Sequence, residues 1–306
     1  MTTLDALVAE QGDPGTVDSE EKAAKLRLQT PQQLYELWER QHWLSQEIDF
    51  TQDKRDFANL SGEEKDYLVW MLSSFFIGEE RVTTQFSGLV MAYEDEHEES
   101  FLATQQVDEA RHMQFFDRFY REVIGLADPD FEARLGRVRE ELNDAFVTLF
   151  DESLVEAGQR LIADPTDHEA KVDFVTTYHM VIEGTLALTG QHFITDYMER
   201  NGIFPGFREG FQKVARDEHR HVAYGTWYLQ QTAGRDEALA QRMQVRLQEL
   251  IPVAAGVLLP PGQDPSEDFV LLGYRWSEVN QFAFTSLTRR LKAIGVPLEG
   301  APAAAA

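Results

Sequence analysis

Apolar positions recur at helical spacing through most of the chain. The clearest run follows Ser61-Gly62-Glu63-Glu64, a capping box with Ser at N-cap and Glu at N3. There Leu68, Met71, Leu72, Phe75, Phe76, Val82, Phe86, Leu89 and Val90 mark a long helix reaching about Glu94. A short helix is expected at 31–43, with Pro31 in its first turn, and Ser45 to Asp56 reads as a polar connector. Further helices are expected at about Glu98–Ile124, stopped by Gly125, and Pro129–Ala163, broken by Asp164-Pro165. Two more follow, from after Asp167 to Arg200 and, opened by Phe204-Pro205-Gly206, at Phe207–Gln231. The last two patterns, at about 234–251 and 265–293, are separated by Pro252 and by Pro260-Pro261-Gly262. No alternating strand pattern and no Gly-rich phosphate loop stands out. The reading is all-α, one helical domain over 1–306 with a helical bundle at its centre and loose ends at about 1–25 and 294–306.

Composition narrows the chemistry. With 306 residues, 43% hydrophobic, the chain can bury a large core. It has no cysteine, which removes disulfides, thiolate metal sites and thiol nucleophiles. That is compatible with a cytoplasmic location, the one expected here, and leaves Glu, Asp and His to hold any metal, a donor set suited to iron or manganese. The formal charge of −25 argues against nucleic acid or an anionic membrane as partner. No apolar run approaches a transmembrane span, and Met1 to Glu10 lacks the features of a secretory signal.

Two Glu-x-x-His pairs, Glu109/His112 and Glu218/His221, each place a carboxylate and an imidazole on one helix face. Two such helices, with one Glu from each of two others, form the di-metal carboxylate pattern of ferritin-like bundles. Glu79, flanked on its face by Phe75, Phe76, Val82 and Phe86, and Glu183, the only acid between Asp173 and Asp196, supply the remaining two. An unpaired charge in either place would be costly without a cation. Four carboxylates also neutralise two divalent ions. Glu80 falls on a more polar face with Thr83 and Thr84. His219 should point away from the site. His179 and His192 read as packed or hydrogen-bonded. Asp108 and Asp217 each precede a proposed ligand. The plain reading of both is a solvated acid, although Asp217 could accept a hydrogen bond from a ligand imidazole.

On these residues the chain resembles the class I ribonucleotide reductase small-subunit superfamily over roughly residues 30–290, with ligand order Glu79, Glu109/His112, Glu183, Glu218/His221. The resemblance implies that Trp43 and Asp217 join His112 in an electron relay, and that the chain is a homodimer. The position four residues after His112, where radical-bearing subunits carry Tyr, is Phe116. Tyr120 lies a turn further on, and Leu287–Ala306 has no aromatic residue for radical transfer. Val82, three after Glu79, and Tyr178, five before Glu183, point to the small-subunit-like ligand-binding oxidases. That resemblance implies O₂ activation at a manganese/iron pair (alternatively two irons), a long-chain fatty acid held at the metals, and an ether bond between Val82 Cβ and Tyr178 Oη. The external substrate stays open. The other readings are a ribonucleotide reductase small subunit lacking the Tyr radical, which stores its oxidant in the metals, and a ferritin-like metal-binding or storage protein.

Overall fold

The computed structural model describes residues 26–296. The ends expected to be loose lie outside the described residues, except at 294–296, where Ile294 closes the last helix and Gly295 caps it in the left-handed conformation. The capping signals place most helix starts. Thr30 and Gln33 form a capping box for α1 (Pro31–Arg40), and Ser61 and Glu64 do the same for α3 (Gly62–Gln85). Between them the expected connector is instead structured: a 3₁₀ turn at Ser45–Glu47 and α2 (Thr51–Asn59). Its polarity misled because α2 is anchored through Asp53, which is buried and accepts the backbone N–H groups of Gly206 and Phe207.

The long helix ends earlier than its apolar run, with an irregularity at Phe86 before α4 (Ser87–Met91). Asp95 caps α5 (Glu96–Phe119), which packs along α3 and runs into a π-helical turn, Tyr120–Ile124, closed by Gly125 at φ 85°. The single helix expected at 129–163 is three pieces: α6 (Phe131–Arg139), α7 (Asp144–Phe146) continuing as a π-segment Val147–Ser153, and α8 (Leu154–Ala163). Asn143 caps the second piece, a break that the continuous apolar spacing concealed.

The next helix is α only at its ends. After α9 (His168–Val175) the chain enters a long π-segment, Thr176–Ala187, and returns to α in α10 (Leu188–Asn201). Thr176 through Leu186 are all buried, packed against α11 (Pro205–Ala233), α12 (Glu237–Val257) and α13 (Trp276–Ile294). Gly225 of α11 permits this approach: a Cβ there would lie 2.2 Å from that of His179.

Pro252 does not end α12. Both Pro252 and Gln248, whose carbonyl it frees, are exposed, so water can meet that oxygen while buried Leu247, Leu250 and Ala254 hold the helix through. The last helix starts at Trp276 rather than 265. Before it lies a two-residue hairpin, β1 (Val270–Leu271) with β2 (Tyr274–Arg275). Its turn, Leu272-Gly273, has φ of 51° and 87°. Leucine rarely takes that conformation, which is why the sequence carries no hairpin signal.

Candidate metal centre

Four helical segments deliver six donors to one place. Glu79 comes from the buried face of α3, Glu109 and His112 from α5, Glu183 from the π-segment, and Glu218 and His221 from α11; all six are buried. They form two overlapping groups whose donor atoms lie within 4.8 Å of one another: Glu79, Glu109, His112 and Glu218, and Glu109, Glu183, Glu218 and His221. Glu109 and Glu218 belong to both. Glu80 is half-buried outside either group, as its polar face implied.

The donor set fits a pair of cations. His112 Nδ1 has no hydrogen-bond partner, yet it faces Glu79, Glu109 and Glu218 oxygens at 3.5, 3.6 and 3.6 Å. A buried oxygen of Glu183 and one of Glu218 are also unpartnered. Donors about 3.0–3.5 Å apart are what a cation about 2.1 Å from each would hold. Four buried carboxylates are otherwise hard to reconcile with a folded protein. Burial pushes the Glu79 and Glu183 carboxyls well above the usual range. Burial also opposes ionisation of Glu109, but His221 and His112 outweigh it and hold that carboxyl well below. Burial opposes protonation of both imidazoles, and the surrounding carboxylates reverse the balance, raising both well above the histidine value.

Behind the donors is a charged frame. Each imidazole turns Nδ1 to the cluster and Nε2 outward, His112 to Asp217 Oδ2 at 3.3 Å and His221 to Asp108 Oδ2 at 3.3 Å. The Trp43 indole donates to Asp217 Oδ2 at 2.6 Å, so the expected Trp43–Asp217–His112 series is contiguous. Asp108 and Asp217 are not solvated acids: both are buried and joined by Arg220, at 2.8 and 2.7 Å. Arg111 lies 3.1 Å from Asp108 and 3.6 Å from Asp217. Sequence reasoning missed both arginines. The signal was present, since Asp-Glu-x-Arg-His occurs at 108–112 and again at 217–221.

Tyr178 stands over the cluster, its one hydroxyl proton shared between Glu109 and Glu183 and its oxygen accepting from Gln105 Nε2. Gln105 also bonds His179, which is buried outside the donor groups. His219 is half-buried and turned to the Ala215 carbonyl. His192 is exposed, stacked on Phe282. Phe116 packs among Phe75, Phe115, Phe207 and Phe211, and the Tyr120 hydroxyl is spent on Ser73 and the Val69 carbonyl.

A cavity leads from Glu79, Glu109, Glu183 and Glu218 past Val82 and Tyr178 towards the hairpin at Leu271, Leu272 and Tyr274. Its wall is mainly apolar, with Phe146, Phe150, Ile182, Leu186 and Val257, and among the described residues no Lys, Arg or His contributes to it.

Comparison with known proteins agrees with this geometry. Solved structures similar to this chain include three variants of an R2-like ligand-binding oxidase. A valine-to-leucine variant with an anaerobically reconstituted Mn/Fe cofactor is 28% identical, with a TM-score of 0.75 over 87% of this chain and 93% of that one. A valine-to-isoleucine variant with an aerobically reconstituted Mn/Fe cofactor is 29% identical, at 0.76 over 87% and 94%. A tyrosine-to-phenylalanine variant, reconstituted anaerobically with Mn/Fe, is 29% identical, at 0.74 over 87% and 93%. Among the described residues no helix is long and apolar enough to cross a membrane. The family model for the ribonucleotide reductase small chain matches residues 25–296, and the chain, a helical di-metal-type protein of ferritin-like fold, belongs to that family.

Proposed function

We propose that this protein is a di-metal ligand-binding oxidase, holding Mn/Fe or two Fe, that activates O₂, binds a long-chain fatty acid and forms a Val82–Tyr178 ether. The observation that carries this is the shared position of Tyr178 and Val82 in the wall of the cavity that exposes the four glutamates, with the Tyr178 hydroxyl on Glu109 and Glu183.

In this reading Glu79 and His112 would help hold one ion and Glu183 and His221 the other, with Glu109 and Glu218 belonging to both groups. Bound there, the metals supply the redox capacity for O₂ reduction. The residues do the rest. Asp217 and Asp108 fix the imidazole tautomers by accepting from Nε2, which turns each Nδ1 lone pair to the carboxylate cluster where a metal would be held. The apolar wall excludes water and gives a hydrocarbon chain about 0.8 kcal/mol per buried methylene. Among the described residues an anionic head group meets no cationic side chain in the cavity wall, and the metals at the glutamates would neutralise it.

The cross-link balances as an oxidation of the protein itself. The Val82 Cβ–H and Tyr178 O–H bonds break, a C–O bond forms, and two protons and two electrons leave, the electrons going to O₂. Glu109 and Glu183, already accepting from the phenol, stand ready for its proton. Peptide mass spectrometry after aerobic loading with manganese and iron should show the loss of two hydrogens in a joined Val82/Tyr178 peptide. Unmodified peptides throughout would refute the ether. Phe116, lacking a phenol in a packed aromatic cluster, speaks against a tyrosyl-radical subunit.

A further inference from the structure

The charged frame contains a second indole. Trp38 Nε1 donates to Asp108 Oδ1 at 2.9 Å, and the other oxygen of Asp108 lies 3.3 Å from His221 Nε2. This repeats the Trp43–Asp217–His112 arrangement, and Arg220 joins the two aspartates side by side. The two series differ at their outer ends. Trp43 is buried, and the Arg111 guanidinium sits 5.4 Å from its ring centroid. A positive charge in that place disfavours loss of an electron from the indole. Trp38 is only half-buried, on the outer part of α1, and stacks on Tyr35 with centroids 6.1 Å apart.

We propose that Trp38–Asp108–His221 is the line by which electrons from an external one-electron donor, of the reduced flavin or iron–sulfur protein class, enter the site. The proposal rests on the di-metal reading above. Each transfer removes one electron from the donor and delivers one to the oxidised metal position beside His221. The Trp38 indole is neutral before and after, and its N–H proton stays on the hydrogen bond to Asp108. Two transfers restore a pair oxidised by two electrons. Trp38 thereby gives the buried centre a contact for a donor too large to enter the cavity.

The test uses the full chain loaded aerobically with manganese and iron, mixed with a reduced plant-type ferredoxin, while the absorption of the oxidised centre is followed. Trp38→Phe keeps the packing and should slow reduction at least about tenfold. Trp38→Tyr should restore much of the rate. Trp227→Phe, which removes another half-buried indole, should leave it unchanged. A native rate in Trp38→Phe, or a larger loss in Trp43→Phe, overturns the proposal. A second arm uses the metal-free protein and ruthenium(III) tris-bipyridine generated by a flash. The indole radical yield should fall in Trp38→Phe and persist in Trp43→Phe, and the reverse overturns the proposal. Elemental analysis separates the two ideas: failure of the native chain to retain metals sinks the di-metal reading, while metals retained with a rate indifferent to Trp38 sink the relay alone.

Discussion

The Tyr178 hydroxyl donates to the carboxylate of Glu183, five residues further along the same segment. In an α-helix five residues turn about 140° past a full circle, which would place the two side chains on different faces. The π-segment Thr176–Ala187 winds more slowly and brings i and i+5 together. The helix irregularity is therefore what seats the phenol at the Glu109 and Glu183 carboxylates. Tyr178→Phe should retain both metals and lose the cross-link entirely. Elemental analysis beside peptide mass spectrometry checks both outcomes. Loss of metal in this variant would mean that the phenol holds Glu109 and Glu183 in place rather than serving as a reactant.

The same segment marks what the sequence could reveal. The convergence of the six side chains was legible because Glu109/His112 and Glu218/His221 repeat one Glu-x-x-His spacing and Glu79 and Glu183 are lone acids among apolar neighbours. The π-segment was not legible. Its residues, Thr176 to Ala187, have an apolar pattern that suits any fully buried helix, and nothing local states that the turn is widened. The stretch around Asp53, read as a connector, and Asp108 were misjudged for a related reason. An acid beside polar neighbours reads as solvated until its partner is known, and the partners lie 153 and 112 residues away, at Gly206 and Arg220.

Metal loading should release protons. Burial raises the carboxyls of Glu79, Glu183 and Glu218, and the carboxylates, outweighing burial, raise His112 and His221, so the metal-free cluster holds protons more tightly than the free side chains do. Cations must displace them, so affinity should increase as pH rises and fall as the solution is acidified. Calorimetric titration with manganese in buffers of different ionisation enthalpy should give a net proton release per chain near pH 7. Release of none would mean that the cluster is already deprotonated.

Filling the cavity should expel the lipid without disturbing the metals. Ala187 lines the cavity wall but is not among the grouped donors. Ala187→Trp should displace about two methylenes of a bound chain, enough to lower retention about tenfold at 0.8 kcal/mol each. Mass spectrometry of organic extracts, alongside elemental analysis, reads the two effects separately. Fatty acid recovered at the native ratio would place the tail elsewhere.

Away from the site, Lys171 is buried, with Nζ 2.9 Å from Glu98 and 4.5 Å from the ring centroid of Tyr228. Glu98 is equally buried, accepting from the Tyr224 hydroxyl and the Glu94 backbone N–H. Removing the ammonium strands a carboxylate that two neutral donors only partly satisfy. Lys171→Met should therefore cost about 3–5 kcal/mol, the range for breaking one side of a buried pair. Adding Glu98→Gln should recover part of that loss, because the amide keeps an acceptor for Tyr224 and carries no charge. Urea denaturation of the metal-free single and double variants measures both. If the double variant is as unstable as the sum of the singles, the two residues act independently, and the burial of Lys171 is compensated by the Tyr228 ring and Glu94 rather than by Glu98.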